Sequence, residues 1–432
     1  MPSLKKAFQN LNSELVRHTA ILAVSYGTRL GIQAGYFIIV ARALGIERYG
    51  LFVGLLALAN AATPFATWGS EHILMRNVAR DRDRFGQEFG VSILVSMLSG
   101  LALAILCFII SRATLPDSVP AVAMFVLLIG ELVGKSMHLQ AAKAFLAVNY
   151  VSGSALLINL VSLKNLAAAL ILLAFPGSGD PLLTWSMLYS GSTILAAFVS
   201  IGLTIVRIGR PVFSLANLRA FPYREGFLFS VNQSASSINA NLDKIMLASM
   251  APLDAAGIYA AAYRIVVIST SPLKALMTAA YAKFFKHGEQ GISGAATFAR
   301  QVLKLSGGYG LFAALLLPVV APIVPLILGE EYRDSVQAIR WLAPMAVLLG
   351  LRFPLADVLS STNNQGIRSA IQITTAFVNY LANLVLIPLL SWKGAAIATH
   401  VSDGLQTVVL WGVVVWLLRK QSRKKSSPEE VS

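Results

Sequence analysis

The chain alternates between long apolar stretches and short polar stretches along almost its whole length. A membrane-spanning helix needs about 20 predominantly apolar residues, because the hydrocarbon core of a bilayer is about 30 Å thick. On that length scale the pattern predicts about twelve spanning helices. They cover residues 19–44, 49–70, 89–111, 119–141, 153–175, 182–206, 226–250, 256–284, 302–328, 338–360, 369–390 and 394–418.

Composition agrees with an all-α, multi-pass membrane protein. Of the 432 residues, 56% are hydrophobic and 13% are charged, whereas soluble domains carry about 25% charged residues. The formal net charge of +15 does not require a nucleic-acid partner, because membrane proteins concentrate Lys and Arg in their cytoplasmic loops. The single cysteine, Cys107, and five scattered histidines give no metal-binding spacing, so we expect neither a metal nor a cofactor.

The distribution of Lys and Arg predicts the orientation of the helices. With the N-terminus in the cytoplasm, the inner segments hold 22 basic residues and the outer loops hold four. The positive-inside rule therefore places both termini in the cytoplasm. The sequence predicts two six-helix lobes, residues 1–225 and 226–418, followed by a basic cytoplasmic tail, 419–432. A faint internal repeat supports two parallel halves, because Gly50-Leu51-Phe52 and Gly257-Ile258-Tyr259 occupy corresponding positions.

Nine basic residues but only four acidic residues fall within the predicted spans. An ionised side chain at membrane depth is costly and usually faces a cavity or a partner. The surplus of cations therefore predicts a cavity that receives an anion. The candidate substrate-binding residues are Arg29, Lys135, Lys244, Arg264 and Arg352. We expect three others, Arg42, Lys164 and Arg340, to extend toward an interface.

The most polar predicted helix, 226–250, carries a stripe of Asn232, Ser236, Asn239 and Asp243. Spacings of four, three and four place them on one helix face. Such residues either bond neighbouring helices or line a polar cavity, and the charged residues favour the cavity. Candidate sites for a coupling ion, H⁺ or Na⁺, are Asp243, Asp357 and Glu131. Pairing with Arg or Lys is the alternative for all three, as at Glu131 and Lys135, four residues apart on one helix.

Several segments resemble the Wzx-type polysaccharide flippases of the multidrug/oligosaccharidyl-lipid/polysaccharide (MOP) exporter superfamily. The similar stretches are "ARALGIERYGLF" in the first half, and "NLDKIMLASMAPLDAAGIYAAAYRI" and "LGEEYRDSVQAIRWLAP" in the second. The resemblance implies a MATE-like bundle of twelve helices in two lobes. It also implies alternating-access transport of an undecaprenyl-diphosphate-linked oligosaccharide across the bacterial inner membrane. Implied partners are the glycan, membrane lipids, and the polymerase and glycosyltransferases of the same pathway.

Three other functions remain open at this stage. The first is a cation-coupled multidrug or metabolite antiporter of the same superfamily, although organic cations would favour a net-acidic cavity. The second is a membrane glycosyltransferase or polymerase, which would need a large catalytic outer loop, and every predicted outer loop is short. The third is a scaffold that transports nothing. We therefore expect a transporter and not an enzyme.

Overall fold

In the computed structural model, the backbone is described for residues 2–426 except 117, 176 and 178. Side chains are described for residues 31–422 except those three positions and 232, 235, 236 and 282. Within this part of the chain all regular structure is helical. The helices are α1 (Pro2–Thr67), α2 (Ser70–Arg80), α3 (Phe85–Thr114), α4 (Ala121–Ile129), α5 (Lys135–Ala147), α6 (Val151–Ala174), α7 (Pro181–Arg207), α8 (Leu215–Arg219), α9 (Tyr223–Met250), α10 (Leu253–Ser269), α11 (Ser271–Gly288), α12 (Ile292–Val320), α13 (Val324–Leu328), α14 (Ser335–Leu342), α15 (Met345–Ser361), α16 (Gln365–Leu390) and α17 (Trp392–Ser426).

Every predicted span coincides with helix over most of its length. In the described part of the chain, eight helical segments are long and apolar enough to cross a membrane. The number reaches ten when each of two bent helix pairs, with bends of 44° and 43°, counts as one span. The first two predicted spans form one continuous helical segment, and α9 is too polar to qualify. These two features explain the difference from the predicted twelve.

The first two predicted spans join at a kink inside α1. Gly45 has φ 72° and ψ 170°, a conformation that is strained for any residue with a side chain. The carboxylate of Glu331 lies beside this kink and accepts a hydrogen bond from the backbone N–H of Ile46, at 3.3 Å. The helix axis therefore changes direction at Gly45. The backbone N–H of Ile46, just after the kink, bonds to a side chain 285 residues away in the sequence.

The two halves of the sequence meet where α1 crosses α10. A Cβ atom on Gly50 would lie only 2.5 Å from the carbonyl oxygen of Leu253, and one on Gly257 would lie 2.8 Å from Ile46 Cγ1. Only glycine permits such an approach of two backbones. The two glycines of the predicted internal repeat are therefore in contact. We call this end of the bundle the Gly50 end.

Helix α9 runs antiparallel to the second half of α1, because its start lies beside Gly69 and its end beside Gly54, near the Gly50 end. At the opposite end, Trp68 Nε1 donates a hydrogen bond of 3.0 Å to the carbonyl of Tyr223, and Ser230 Oγ donates one of 2.8 Å to the carbonyl of Pro64. We call this the Trp68 end. The polar face of α9 thus lies between the two halves of the sequence.

The largest apolar cluster combines residues from both halves. Phe52 packs edge-on against Trp185, with ring centroids 5.7 Å apart, and both side chains are fully buried. Tyr332, from the second half, is also fully buried and donates a hydrogen bond of 2.9 Å to the carbonyl of Ala41. Aromatic packing and this hydrogen bond therefore close the molecule at the Gly50 end.

Candidate functional site

A cavity of about 330 Å³ lies between α1 and the helices α9, α10 and α11. Three cationic side chains line it: Lys244, Arg264 and Lys274. Helix α9 contributes the first, α10 the second, and α11 the third. Because α1 belongs to the first half of the sequence and the other helices to the second, this central cavity lies between the two halves.

Arg264 and Lys274 are the uncompensated cations of the central cavity. Among the described residues, neither side chain forms a salt bridge or a hydrogen bond. Arg264 is half-buried and Lys274 is exposed to the cavity. The planar Arg guanidinium can donate two parallel hydrogen bonds to a phosphate, and the Lys ammonium offers a compact point charge. The pair is therefore suited to an anion that carries more than one oxygen.

Lys244 is in a different state, because the protein already neutralises it. Its Nζ lies 3.2 Å from Asp243 Oδ1 and 3.7 Å from the centroid of the Tyr263 ring. It also donates a hydrogen bond of 2.9 Å to the carbonyl of Ala240. The carboxylate, the ring face and the carbonyl together hold the ammonium in place. Lys244 therefore belongs to the wall of the central cavity rather than to its free positive charge.

A second cavity, of about 220 Å³, lies entirely among helices of the second half. It shares Tyr263 and Lys274 with the central cavity and is also lined by Asn239, Asp243 and Arg352. Apart from Lys274, the charged side chains on its wall are paired within the protein. Arg352 forms a salt bridge with Asp403 and a hydrogen bond of 2.6 Å to Gln406, Tyr259 donates to Asp243, and Asn379 donates to Ser402 at 2.9 Å.

A third cavity, of about 370 Å³, lies at the Trp68 end, between α1, α2, α5 and α9. It adjoins the central cavity, because Asn60, Ala240 and Asn241 line both. Lys135 lines it and donates a hydrogen bond of 2.6 Å to Asn60. We call it the Glu71 cavity after its acidic residue. Another polar cavity therefore lies beside the central cavity, on the side of the Trp68 end.

Beneath Lys135 lies a buried polar network in the first half. Glu131 is 1% exposed and accepts hydrogen bonds from Lys135 and from the hydroxyl of Tyr189, the latter at 2.8 Å. Lys164 lies 4.1 Å from the centroid of the Tyr189 ring and donates to Thr193. Glu131 lies in a π-helical turn, Gly130–Gly134, a local irregularity that is frequent at functional sites.

The predicted site residues thus lie in three adjacent cavities and in the protein around them. Of the predicted cations, Arg264 and Lys244 lie in the central cavity, Arg352 in the second and Lys135 in the third. Asp243 and Asn239 line the second cavity, Glu131 is buried behind Lys135, and Asp357 pairs with Arg368 at 3.8 Å. The side chains of Arg29, Asn232 and Ser236 lie outside the described residues. The role assigned to each residue stays a prediction.

One prediction is wrong, and one cavity residue is not among those predicted. The prediction that Lys164 extends toward an interface is wrong, because this side chain is 9% exposed and is held within the Tyr189 network. Lys274 is the remaining one of the nine basic residues within the predicted spans, and it is not among the predicted site residues. The signal that would have found it is its position in the span of Arg264, ten residues farther along the chain.

This arrangement of long helices around a polar, charged cavity defines a multi-pass membrane protein of the transporter class. The model of one protein family, Polysacc_synt, described as polysaccharide biosynthesis protein, matches residues 15–286. The chain belongs to that family. No curated protein sequence matches it significantly.

Solved structures show the same fold. An inward-facing MATE-family multidrug resistance transporter of the MOP superfamily is 16% identical, with 93% of this chain and 95% of that chain covered and a TM-score of 0.71. The lipid II flippase MurJ, in an inward closed conformation, is 11% identical, with 91% and 87% covered and a TM-score of 0.72. An outward-facing MATE transporter is 17% identical, with 92% and 94% covered and a TM-score of 0.59. The fold is therefore that of the MOP superfamily, as the sequence predicted.

Proposed function

We propose that this protein is a flippase of the bacterial inner membrane. It translocates an undecaprenyl-diphosphate-linked oligosaccharide by alternating access, for the biosynthesis of a surface polysaccharide such as an O-antigen, a capsule or an exopolysaccharide. Family membership supports the polysaccharide pathway, and the fold supports transport. Partners in this proposal are the lipid-linked glycan, membrane lipids, and the polymerase and glycosyltransferases of the pathway.

One observation carries the proposal: Arg264 and Lys274 are uncompensated cations in the cavity between the two halves. An Arg at membrane depth costs about 2.5–3.5 kcal/mol on insertion scales. Such a cost is offset when an anion binds, and a diphosphate provides both the charge and the oxygen atoms. An exporter of organic cations would place its free charge in carboxylates. In the second cavity, next to Arg264 and Lys274, the carboxylates of Asp243 and Asp403 are paired with Lys244 and Arg352.

In this proposal residues 1–225 and 226–418 are the two lobes, both termini are cytoplasmic, and the Gly50 end faces the periplasm. The close contact of Gly50 with α10 then closes the periplasmic side, and the Glu71 cavity leads toward the cytoplasm. The higher TM-score with the inward-facing MATE structure than with the outward-facing one supports this conformation. The passenger would enter with its prenyl chain in lipid and its diphosphate at Arg264 and Lys274.

We also propose that H⁺ or Na⁺ antiport drives the cycle and that Asp243 is the coupling residue. Of the three predicted acids, it is the one on a cavity wall, where it contacts both Lys244 and Tyr259. Binding of an ion at Asp243 would release Lys244. If Asp243→Asn transports at the same rate with and without an imposed ion gradient, while the unsubstituted protein responds to the gradient, Asp243 carries the coupling.

The test of the flippase is a transport assay in proteoliposomes. Undecaprenyl diphosphate carrying labelled N-acetylglucosamine is followed by its accessibility to a membrane-impermeant hexosaminidase. Arg264→Ala and Lys274→Ala are each expected to slow transport about tenfold, because hydrogen bonds to charged groups contribute about 1.5–3 kcal/mol. Arg264→Lys should retain part of the activity, and Arg340→Ala, an exposed cation away from these cavities, should be unchanged.

Two results would count against the proposal. The first is wild-type transport of the lipid-linked sugar by both alanine variants, correctly inserted. The second is a protein that leaves the lipid-linked sugar in place but exchanges tetraphenylphosphonium for H⁺ or Na⁺. This second result would identify the multidrug type of antiporter instead.

A further inference from the structure

The Glu71 cavity contains polar groups that the cationic site does not use. Glu71 is 5% exposed, and its carboxylate oxygen Oε2 has no hydrogen-bond partner among the described residues. Its other oxygen lies 3.7 Å from His72 Nε2, which is too long for a hydrogen bond. A buried carboxylate oxygen without a partner is unusual, because the loss of hydration normally has to be compensated.

The remaining wall offers neutral amide and hydroxyl groups. The side chains of Gln233 and Ser237, on α9, form no hydrogen bonds with described residues, and Asn60 uses only its oxygen, which accepts from Lys135. The amide nitrogens of Asn60 and Gln233 are therefore free to donate, and the hydroxyl of Ser237 can donate or accept. Together with Glu71, these groups form a set of donors and acceptors suited to a polyhydroxylated ligand.

Charge separates this cavity from its neighbour. The uncompensated groups of the central cavity are the cations Arg264 and Lys274, whereas the uncompensated charge of the Glu71 cavity is a carboxylate, since Lys135 is neutralised by Glu131. A phosphate is attracted to the first cavity and repelled from the second. Asn60, Ala240 and Asn241 line both, so the two cavities lie side by side. The volume of about 370 Å³ lies within the usual range of small-molecule sites, about 300–1,000 Å³.

We infer that the Glu71 cavity is the saccharide subsite of the transporter, with Glu71 as a specificity-determining residue for an uncharged sugar. This inference rests on the proposed function, because it assigns the sugar to the Glu71 cavity and the diphosphate to Arg264 and Lys274. Glu71 accepts a hydrogen bond from a sugar hydroxyl or acetamido N–H, and Asn60, Gln233 and Ser237 bond other ring substituents. The same carboxylate disfavours a uronic acid at this position.

The test uses the full-length protein in detergent micelles and follows the protection of introduced thiols from a maleimide. Cys107, the only cysteine of the sequence, is first replaced by alanine. Ser237→Cys then reports on the Glu71 cavity, and Val53→Cys, on the wall of the central cavity, is the matched control. The probes are methyl N-acetylglucosaminide, methyl glucoside, methyl glucuronide and farnesyl diphosphate. Na⁺ and methyl glucosaminide are added to detect a cation site.

We expect the two neutral glycosides to slow the labelling of Ser237→Cys, whereas the glucuronide has no effect. Farnesyl diphosphate should slow the labelling of Val53→Cys. Adding Glu71→Gln, which keeps the shape of the side chain, should weaken protection by the neutral glycosides about tenfold, because charge-assisted hydrogen bonds are roughly twice as strong as neutral ones. Protection by farnesyl diphosphate should not change, which also verifies that the variant is folded.

The outcomes separate the inference from the proposed function. If neither neutral glycoside protects Ser237→Cys while farnesyl diphosphate still protects Val53→Cys, the saccharide subsite is wrong and the flippase proposal stands. Protection that is unaffected by Glu71→Gln, or protection by Na⁺ or methyl glucosaminide alone, also overturns the inference, the latter in favour of a cation site. Glycoside protection without any effect of farnesyl diphosphate supports the subsite but counts against the diphosphate site.

Discussion

The contact between Gly50 and α10 predicts that a single methyl group will open the Gly50 end. In Gly50→Ala the added Cβ would lie 2.5 Å from the carbonyl oxygen of Leu253. Non-bonded contacts normally lie at about 3.5 Å or more, so the two helices would have to separate by about 1 Å. The obstructing atoms belong to backbone and cannot rotate away. Overpacking of this kind costs about 1–3 kcal/mol, which shifts a two-state equilibrium about 5–150-fold.

The assay is a distance measurement across the Gly50 end. Spin labels attached through Glu47→Cys and Asp254→Cys, both exposed positions, report the separation of α1 and α10 in the Cys107→Ala background. Gly50→Ala should shift the population toward longer distances. Gly31→Ala, on the same helix, is the control, because its Cβ would have no neighbour within 4 Å. A Gly50→Ala distance distribution that matches that of the control, at unchanged thermal stability, would refute the steric argument.

Three further predictions concern the polar networks, and each is measured by thermal unfolding in detergent. Glu131→Gln leaves Lys135, whose side chain is 35% exposed, without its carboxylate and should destabilise the protein by about 1–3 kcal/mol, as expected for weakened hydrogen bonds to a charged group; a neutral effect would contradict the network. Asn379→Ala removes hydrogen bonds to Ser402 and Asn383 and should cost about 1–3 kcal/mol, so an unchanged melting temperature would show that these bonds contribute nothing. Arg76→Ala breaks the half-exposed pair with Glu225 and should cost less than about 1 kcal/mol, with no additional loss in the double variant that also carries Glu225→Ala.

The sequence predicts the helices well because the length of an apolar stretch is a local property. Every predicted span lies on helix, including the polar segment that became α9. The sequence also identifies Gly50 and Gly257 as a repeat. Their contact with each other is a tertiary feature that the repeat alone does not predict.

The local pair of Glu131 and Lys135 could be predicted from its spacing of four residues. Partners that are distant in the sequence could not, because their pairing depends on the tertiary structure. Arg352 and Asp403 are 51 positions apart, and no local pattern connects them. Lys164 illustrates the same limit: its burial depends on the ring of Tyr189 and the hydroxyl of Thr193, both on another helix. Lys274 lines the central cavity from α11, which bends by 44° from α10, and the angle of a bend is not encoded in hydrophobic periodicity.

The separation of paired from unpaired cations has a consequence for the transport cycle. Lys135, Lys244 and Arg352 are neutralised by Glu131, Asp243 and Asp403, so closing the cavities around them requires no passenger. Arg264 and Lys274 have no such partner in the part of the chain whose side chains are described, and occluding them from water without an anion would carry a desolvation cost of several kcal/mol for each ion. A ligand shifts a conformational equilibrium only by its difference in affinity between the two states. A bound diphosphate meets this condition because it offsets the desolvation cost of Arg264 and Lys274, which arises only in the occluded state. In the proposed flippase the loaded protein therefore reorients more readily than the empty one.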